Sequence, residues 1–396
     1  MKDLRLNIFP MIEEKSKVNI LATGLAMFSM FFGAGNVVFP LLIGIEAQDK
    51  NIYSILGLLI TAVGVPFLGV LAITLYDGDY KTFFSRIGKV PGFIVAALIM
   101  GLIGPFGALP RCIALSFSTT EMFFPGMSLQ IFSFISCILI FLLTFRKNQI
   151  VDVLGYYLTP LLIGSLAIII VKGMIMSPSA PESALNSGQA FWNGFAQGYQ
   201  TMDLLGAFFF SSVVIACLKP QKLTEEGNHR RILRLMGQAS IIGAALLSLI
   251  YVGFSFVSAF NSEQLAAISK DQVLGQIALV VLGPYAGIVA CVAVALACLT
   301  TAIALACVFA EFLHYDVTFG KIGYIPSLLI TLIISFFVST LNFNQIIALL
   351  APVLEILYPA LIVLCIMNIL HKLYGVTWIK TPFALTLAGT ILLKVL

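Results

Sequence analysis

Apolar runs of about twenty residues recur along the whole chain, and each is long enough to cross the roughly 30 Å hydrocarbon core of a bilayer as a single helix. Eleven are present, at 18–45, 53–76, 91–117, 129–145, 150–172, 189–217, 237–260, 284–313, 324–341, 344–370 and 377–396. They are too long for the strands of a membrane barrel and do not alternate with period two. Hydrophobic residues make up 60% of the 396 positions and charged ones only 10%, so a soluble fold would lack the polar surface to cover itself. The sequence predicts an all-α integral membrane protein of about 11–12 transmembrane helices, with the lipid bilayer as its obligatory surroundings. The net charge of +4 is too small and too scattered for a nucleic-acid surface, which excludes that partner. The seven cysteines lie in or beside apolar runs without a CxxC pair, which argues against a disulfide framework or a zinc site.

The positive residues orient the chain. With the N-terminus in the cytoplasm, 17 of the 22 Lys and Arg fall on the cytoplasmic side; Lys50, Lys172, Lys270 and Lys394 fall outside, and Arg111 lies within the third run. That asymmetry predicts a cytoplasmic N-terminus. The opening MKDLRLNIFPMIEEKSK lacks a short apolar core with a small-residue cleavage site, so no signal peptide is expected. Two connections are long, 173–188 and 261–283, and the second contains Val273 to Leu282, too short to cross and expected as an external helix.

Interruptions in these helices are informative, because unpaired backbone survives inside a bilayer only where protein or a polar cavity supplies partners. The first run reads FSMFFGAGNVVFP, placing Gly33, Ala34, Gly35 and Asn36 in its middle third. The sixth reads FWNGFAQGYQTMDLLGAFFFSS, with Gly198 to Asp203, including Tyr199, Thr201 and Met202, at mid-depth. Asp203 lies about 21 Å from either end of its run if helical throughout. A carboxylate there costs about 3 kcal/mol by insertion scales unless it finds a partner. Its role is open between a hydrogen bond to unwound backbone and a part in solute or ion binding. Breaks in spans one and six fit five helices repeated once with inverted topology, the pattern that marks the binding site of a secondary transporter. The expected division is 1–172 for the N-terminus and first repeat, 173–370 for the second repeat with the external element 261–283, and 371–396 for an additional helix.

Helix halves meeting at mid-membrane present unpaired N–H groups on one side and unpaired carbonyls on the other. Amides near Gly35 and Asn36 can hold a carboxylate, and carbonyls around Phe31 to Gly33 can hold a cation or an ammonium group. This suits an amino-acid zwitterion. Thr300 and Thr301, midway along span eight, either ligate an alkali cation through hard oxygens or bond back to their own helix. Arg111 in span three and Glu355 in span ten are candidates for an external gating pair, or Glu355 for a proton site. Phe106 and Phe208 are candidate pocket walls; Glu311 and His314 fall at the cytoplasmic end of span eight. No HExxH or Gly-x-Ser-x-Gly arrangement is present, so no enzyme is expected. Without a Walker motif no ATPase subunit or organic cofactor is implied. Three interior charges are too few for the rings of a channel.

The blocks FSMFFGAGNVVFPLLIG, GPFGALPR, GYQTMDLLGAFFFSSVV, LACLTTAIAL and LAPVLEILYP together resemble the bacterial branched-chain amino acid:cation symporter family, in order and over nearly the whole chain. That family is similar in architecture to the leucine-transporter fold of five-plus-five inverted repeats. The resemblance implies sodium-coupled uptake of leucine, isoleucine and valine across the bacterial inner membrane by alternating access. It implies that Gly33 to Asn36 and Gly198 to Asp203 form the substrate site. It further implies that Thr300 and Thr301 complete a sodium site with span-one carbonyls near Ser29 and Phe32. Glu355 departs from the apolar residue expected there and leaves a second reading, a proton-coupled carrier of another small apolar amino acid such as methionine or alanine.

Overall fold

A computed structural model of the chain describes residues 20–145, 159–176, 180–218, 227–283 and 286–395, and among these every regular element is helical. Span one is Ile20–Phe31 followed by Ala34–Ala47. A turn at Gln48–Lys50, with Gln48 at φ 49°, separates it from span two, which is Asn51–Leu59 and Val65–Thr74 joined by a π-helical turn. A short helix, Tyr80–Ser85, leads into span three, Lys89–Ile103 and Ala108–Phe123. Spans four and five are Leu129–Thr144 and Thr159–Met176. Span six is Ser187–Gln197, a tight turn Gly198–Thr201, and Asp203–Leu218. Span seven is Gly227–Phe260, and span eight is Ala286–Phe312 with a π-helical end, Leu313–Val317. Spans nine, ten and eleven are Tyr324–Ser339, Phe343–Tyr374 and Lys380–Val395. Residues 150–158 of the fifth run lie outside the described residues, as do the basic stretches at 1–19, 146–147 and 219–222.

Local chemistry sets the boundaries. Asn186 accepts the Gln189 N–H at 2.9 Å, and the Gln189 side chain returns the favour to Asn186 N–H at 3.1 Å; this reciprocal cap starts span six. Asn342 caps span ten through the Gln345 N–H at 3.0 Å, and Asp79 caps the short helix through the Lys81 N–H at 2.9 Å. Val273–Leu282 forms a helix of its own, packed on spans five and eight.

One expectation is corrected. The run 91–117 is not one helix but opens at Gly104–Gly107. Pro105 has no N–H to continue the ladder, and a Cβ at Gly107 would stand 2.1 Å from the Leu102 carbonyl oxygen.

The packing repeats under exchange of each span with the one five places on. Span one packs along span seven, and span six packs along span two. Span five touches seven and eight as ten touches two and three, while three packs on eight and four on nine. This is the contact pattern of two inverted five-helix repeats. The one–seven and six–two seams are made at glycine. A Cβ at Gly44 would fall 2.1 Å from the Ser255 carbonyl oxygen of span seven. Cβ atoms at Gly57 and Gly194 would fall 2.2 and 1.9 Å from the carbonyl oxygens of Phe191 and Ser54. The backbones are in contact there.

Candidate functional site

The two breaks face one another at the centre. Span one stops at Phe31, Gly33 adopts extended backbone (φ −118°, ψ −160°), and the helix restarts at Ala34. Asn36 fastens this restart, its Oδ1 accepting the Gly33 N–H at 3.2 Å. Its Nδ2 donates to Asp203 Oδ2 at 2.6 Å and to the Tyr251 hydroxyl. Tyr251 donates to the same carboxylate oxygen at 3.2 Å. One amide thus ties span one to spans six and seven, and all three side chains are buried.

In span six, Met202 takes the left-handed conformation (φ 65°) and ends the turn Gly198–Thr201. Beyond it the Leu204 N–H donates to the Tyr358 hydroxyl at 3.2 Å, and the Tyr358 ring stacks on Tyr199 at 4.8 Å. The carbonyls freed by this break are taken by Arg111, which donates to Gln200 O at 2.8 Å and Thr201 O at 3.5 Å. Arg111 is 2% exposed, its Nε has no hydrogen-bond partner, and a Cβ on Gly35 would meet its Nη2 at 2.7 Å. A buried guanidinium is therefore pressed against the positive N-terminal end of a helix. Two positive ends in one dry site favour an anion between them.

The carbonyls freed by the span-one break face span eight. Thr300 and Thr301 donate to Ser29 O at 3.1 and 3.4 Å, and Thr301 touches Gly33. Thr300 also bonds Ala297 O within its own helix at 3.1 Å. Hydroxyl and carbonyl oxygens are hard donors that fit an alkali cation. Phe32 is buried between the rings of Phe28 and Tyr251, so only its backbone is at hand.

Gly33, Ala34, Gly35, Asn36, Thr201, Met202, Asp203, Thr301 and Arg111 all line one central cavity. Its volume is about 20 Å³, space for about one water. The Phe31 and Phe210 rings meet edge to face at 5.5 Å on its wall. Cys112 also borders a second, apolar cavity of about 120 Å³ between spans three, four and eight, lined by Phe132, Cys298 and Leu299.

Tyr199, stacked on Tyr358, does not line the cavity, and three more expected residues lie elsewhere. Phe106 is 49% exposed, lying over Gly101 at the span-three break. Phe208 is buried but packs on Phe83 and Phe84, with rings 5.4 and 5.2 Å apart, away from the cavity. Glu355 pairs with Lys394 of span eleven rather than with Arg111. It lies about a third of a turn off the buried face of span ten that carries Leu354, Tyr358 and Leu361. Tyr251, Tyr358 and Phe210 are site residues the sequence reading omitted. Tyr251 is the one with a signal, a lone hydroxyl in the apolar run LIYVGF.

A family model described as branched-chain amino acid transport protein matches residues 16–396. The branched-chain amino acid permease BrnQ of Corynebacterium glutamicum is 32% identical over 361 residues, covering 90% of this chain and 82% of that one. The structure of MHP1, a nucleobase-cation-symport-1 family transporter, superposes with a TM-score of 0.66 at 13% identity, over 94% of this chain and 90% of the other. MhsT in complex with L-phenylalanine gives 0.63 at 15% identity, over 95% and 98%. These carriers share the leucine-transporter-like fold, in agreement with the repeat seen in the packing. By the family match over nearly its whole length, this chain is a multi-pass membrane transport protein, not an enzyme, and belongs to the branched-chain amino acid transport family.

Proposed function

We propose that the chain imports leucine, isoleucine and valine across the bacterial inner membrane by sodium symport and alternating access, with its N-terminus in the cytoplasm. The observation that carries this reading is the buried Arg111 guanidinium set against the first turn of Ala34–Ala47. Together they form a dry, positive clamp for one carboxylate. The substrate ammonium group is held by Asp203 and the freed span-one carbonyls. The aliphatic side chain points past Cys112 into the neighbouring apolar cavity of about 120 Å³. A cavity of about 150 Å³ accepts benzene, so a four-carbon branched group is of fitting size. Sodium binds between Ser29 O, the span-one backbone at Phe32 and the hydroxyls of Thr300 and Thr301. The central cavity of about 20 Å³ is far smaller than an amino acid, as expected of a site that closes and opens in turn.

Proton coupling, the second reading, is less well supported at Glu355, which is partly exposed and ion-paired with Lys394 away from the central cavity. It would have to run through the buried carboxylate of Asp203. Labelled-leucine uptake into proteoliposomes separates the two. Uptake driven by an inward sodium gradient, and competed by isoleucine and valine more strongly than by methionine or alanine, is expected. Uptake driven by a proton gradient without sodium would overturn the coupling assignment.

A further inference from the structure

A separate cavity of about 210 Å³ lies where the connection between spans two and three meets the end of span eight. Its floor is aromatic, with Phe84 beside the stacked rings of Phe93 and Phe312, 6.2 Å apart. Lys81 and Lys89 line its rim together with one acid, Asp316 of the π-helical end. Asp316 pairs with Lys81 and accepts a hydrogen bond from the Tyr80 hydroxyl. Among the described residues no carboxylate pairs with Lys89; Asp79 and Glu311 act on Tyr80 from outside the cavity, and the lining itself carries two lysines and one acid. On its outer side the cavity continues into the apolar surface of span three, where Val90, Phe93 and Ile94 are 70%, 48% and 59% exposed.

We propose that this cavity is a binding site for one anionic phospholipid, with the phosphate between Lys81 and Lys89 and an acyl chain along Phe93 and Val90. Three observations support this occupant over a soluble anion. Charge is confined to the rim, the floor is aromatic, and the way out leads along a surface that faces hydrocarbon. Basic pockets at the ends of membrane helices hold acidic headgroups by the same arrangement. The phosphate competes with Asp316 for Lys81. Binding therefore loosens the tie between Tyr80–Ser85 and the end of span eight, and anionic lipid eases opening at that end of the bundle.

Native mass spectrometry of the purified protein with phosphatidylglycerol tests the site without reference to transport. The wild type is expected to retain one phosphatidylglycerol more than the K81Q/K89Q variant, with affinity falling about fivefold for each lysine removed. K89Q, which alters an exposed side chain outside any pair, guards against misfolding. Equal retention by wild type and both variants would overturn the proposal. Displacement of the lipid by millimolar inorganic phosphate would also overturn it, in favour of a free-anion site. In phosphatidylcholine vesicles, added phosphatidylglycerol is expected to speed leucine uptake by the wild type several-fold more than by K89Q. Loss of leucine uptake with lipid retention intact would instead count against the proposed function.

Discussion

The breaks in spans one and six free the same kind of group, a backbone carbonyl oxygen, yet the two are satisfied in different ways. Ser29 O receives neutral hydroxyls from Thr300 and Thr301. The carbonyls of Gln200 and Thr201 receive the guanidinium of Arg111. A neutral hydrogen bond contributes about 1 kcal/mol net, and a charged one about twice that. A hydroxyl can also turn its lone pairs toward an incoming cation and stay as a ligand, whereas a guanidinium has no acceptor and repels one. Of two symmetry-related breaks, one is closed by hydroxyls that could stay as ligands of the proposed sodium ion, and the other carries a cation built into the chain.

The largest expected effect comes from removing the permanent charge. R111M takes away the proposed carboxylate clamp and strands two buried carbonyls, each costing about 1–3 kcal/mol when left without a donor. Uptake at saturating sodium, normalised to protein in the membrane, is expected to fall more than about a hundredfold. R111K keeps the charge without the planar fork and is expected to recover only part of it. Full activity in R111M would erase the contrast between the breaks.

At the proposed sodium site the expected response is in ion affinity instead. T300A/T301A is expected to raise the half-saturating sodium concentration about tenfold, or ~1.4 kcal/mol, with leucine binding at saturating sodium little changed. N36A, which cuts the link between the breaks, is expected to abolish sodium stimulation while the protein still inserts. Sodium stimulation unaltered in both variants would refute the assignment of the ion site. A smaller effect is expected of G33A, whose Cβ would meet Thr301 Cγ2 at 2.9 Å. Sodium affinity should drop several-fold, and T301S, which deletes that methyl and keeps the hydroxyl, should restore much of it in the double variant. The least effect is expected of D316N. It neutralises the buried Asp316 carboxylate while leaving an oxygen to accept from Tyr80, and loses only the pair with the exposed Lys81, so the maximal uptake rate should change no more than about fivefold.

What could be read from the residues follows the same division between backbone and packing. The span-one and span-six breaks were legible because glycines and polar side chains interrupt apolar runs at mid-depth. The span-three break was not, because Gly104-Pro105-Phe106-Gly107 carries no polar side chain and reads as more membrane. Arg111 stood out as an intramembrane charge, but its partners are backbone carbonyls, which no side-chain pattern records. Matching it to Glu355 by depth alone ignored helical phase, which turns Glu355 toward span eleven and Lys394. Phe106 and Phe208 show the limit of choosing among 32 phenylalanines without knowing which face each presents. The repeat was legible as topology; only the pairing of one with seven and six with two gave it physical form.

The glycine seams set where this molecule can yield. At Gly44, Gly57 and Gly194 two backbones touch with no side-chain layer between them, so nothing there can compress or change rotamer. Each seam resists shear, because a shift of either backbone brings it straight against the other. Deformation is left to surfaces such as the Phe31–Phe210 contact, where rings can slip past one another. Rigidity in this molecule is thus greatest where there is no side chain at all.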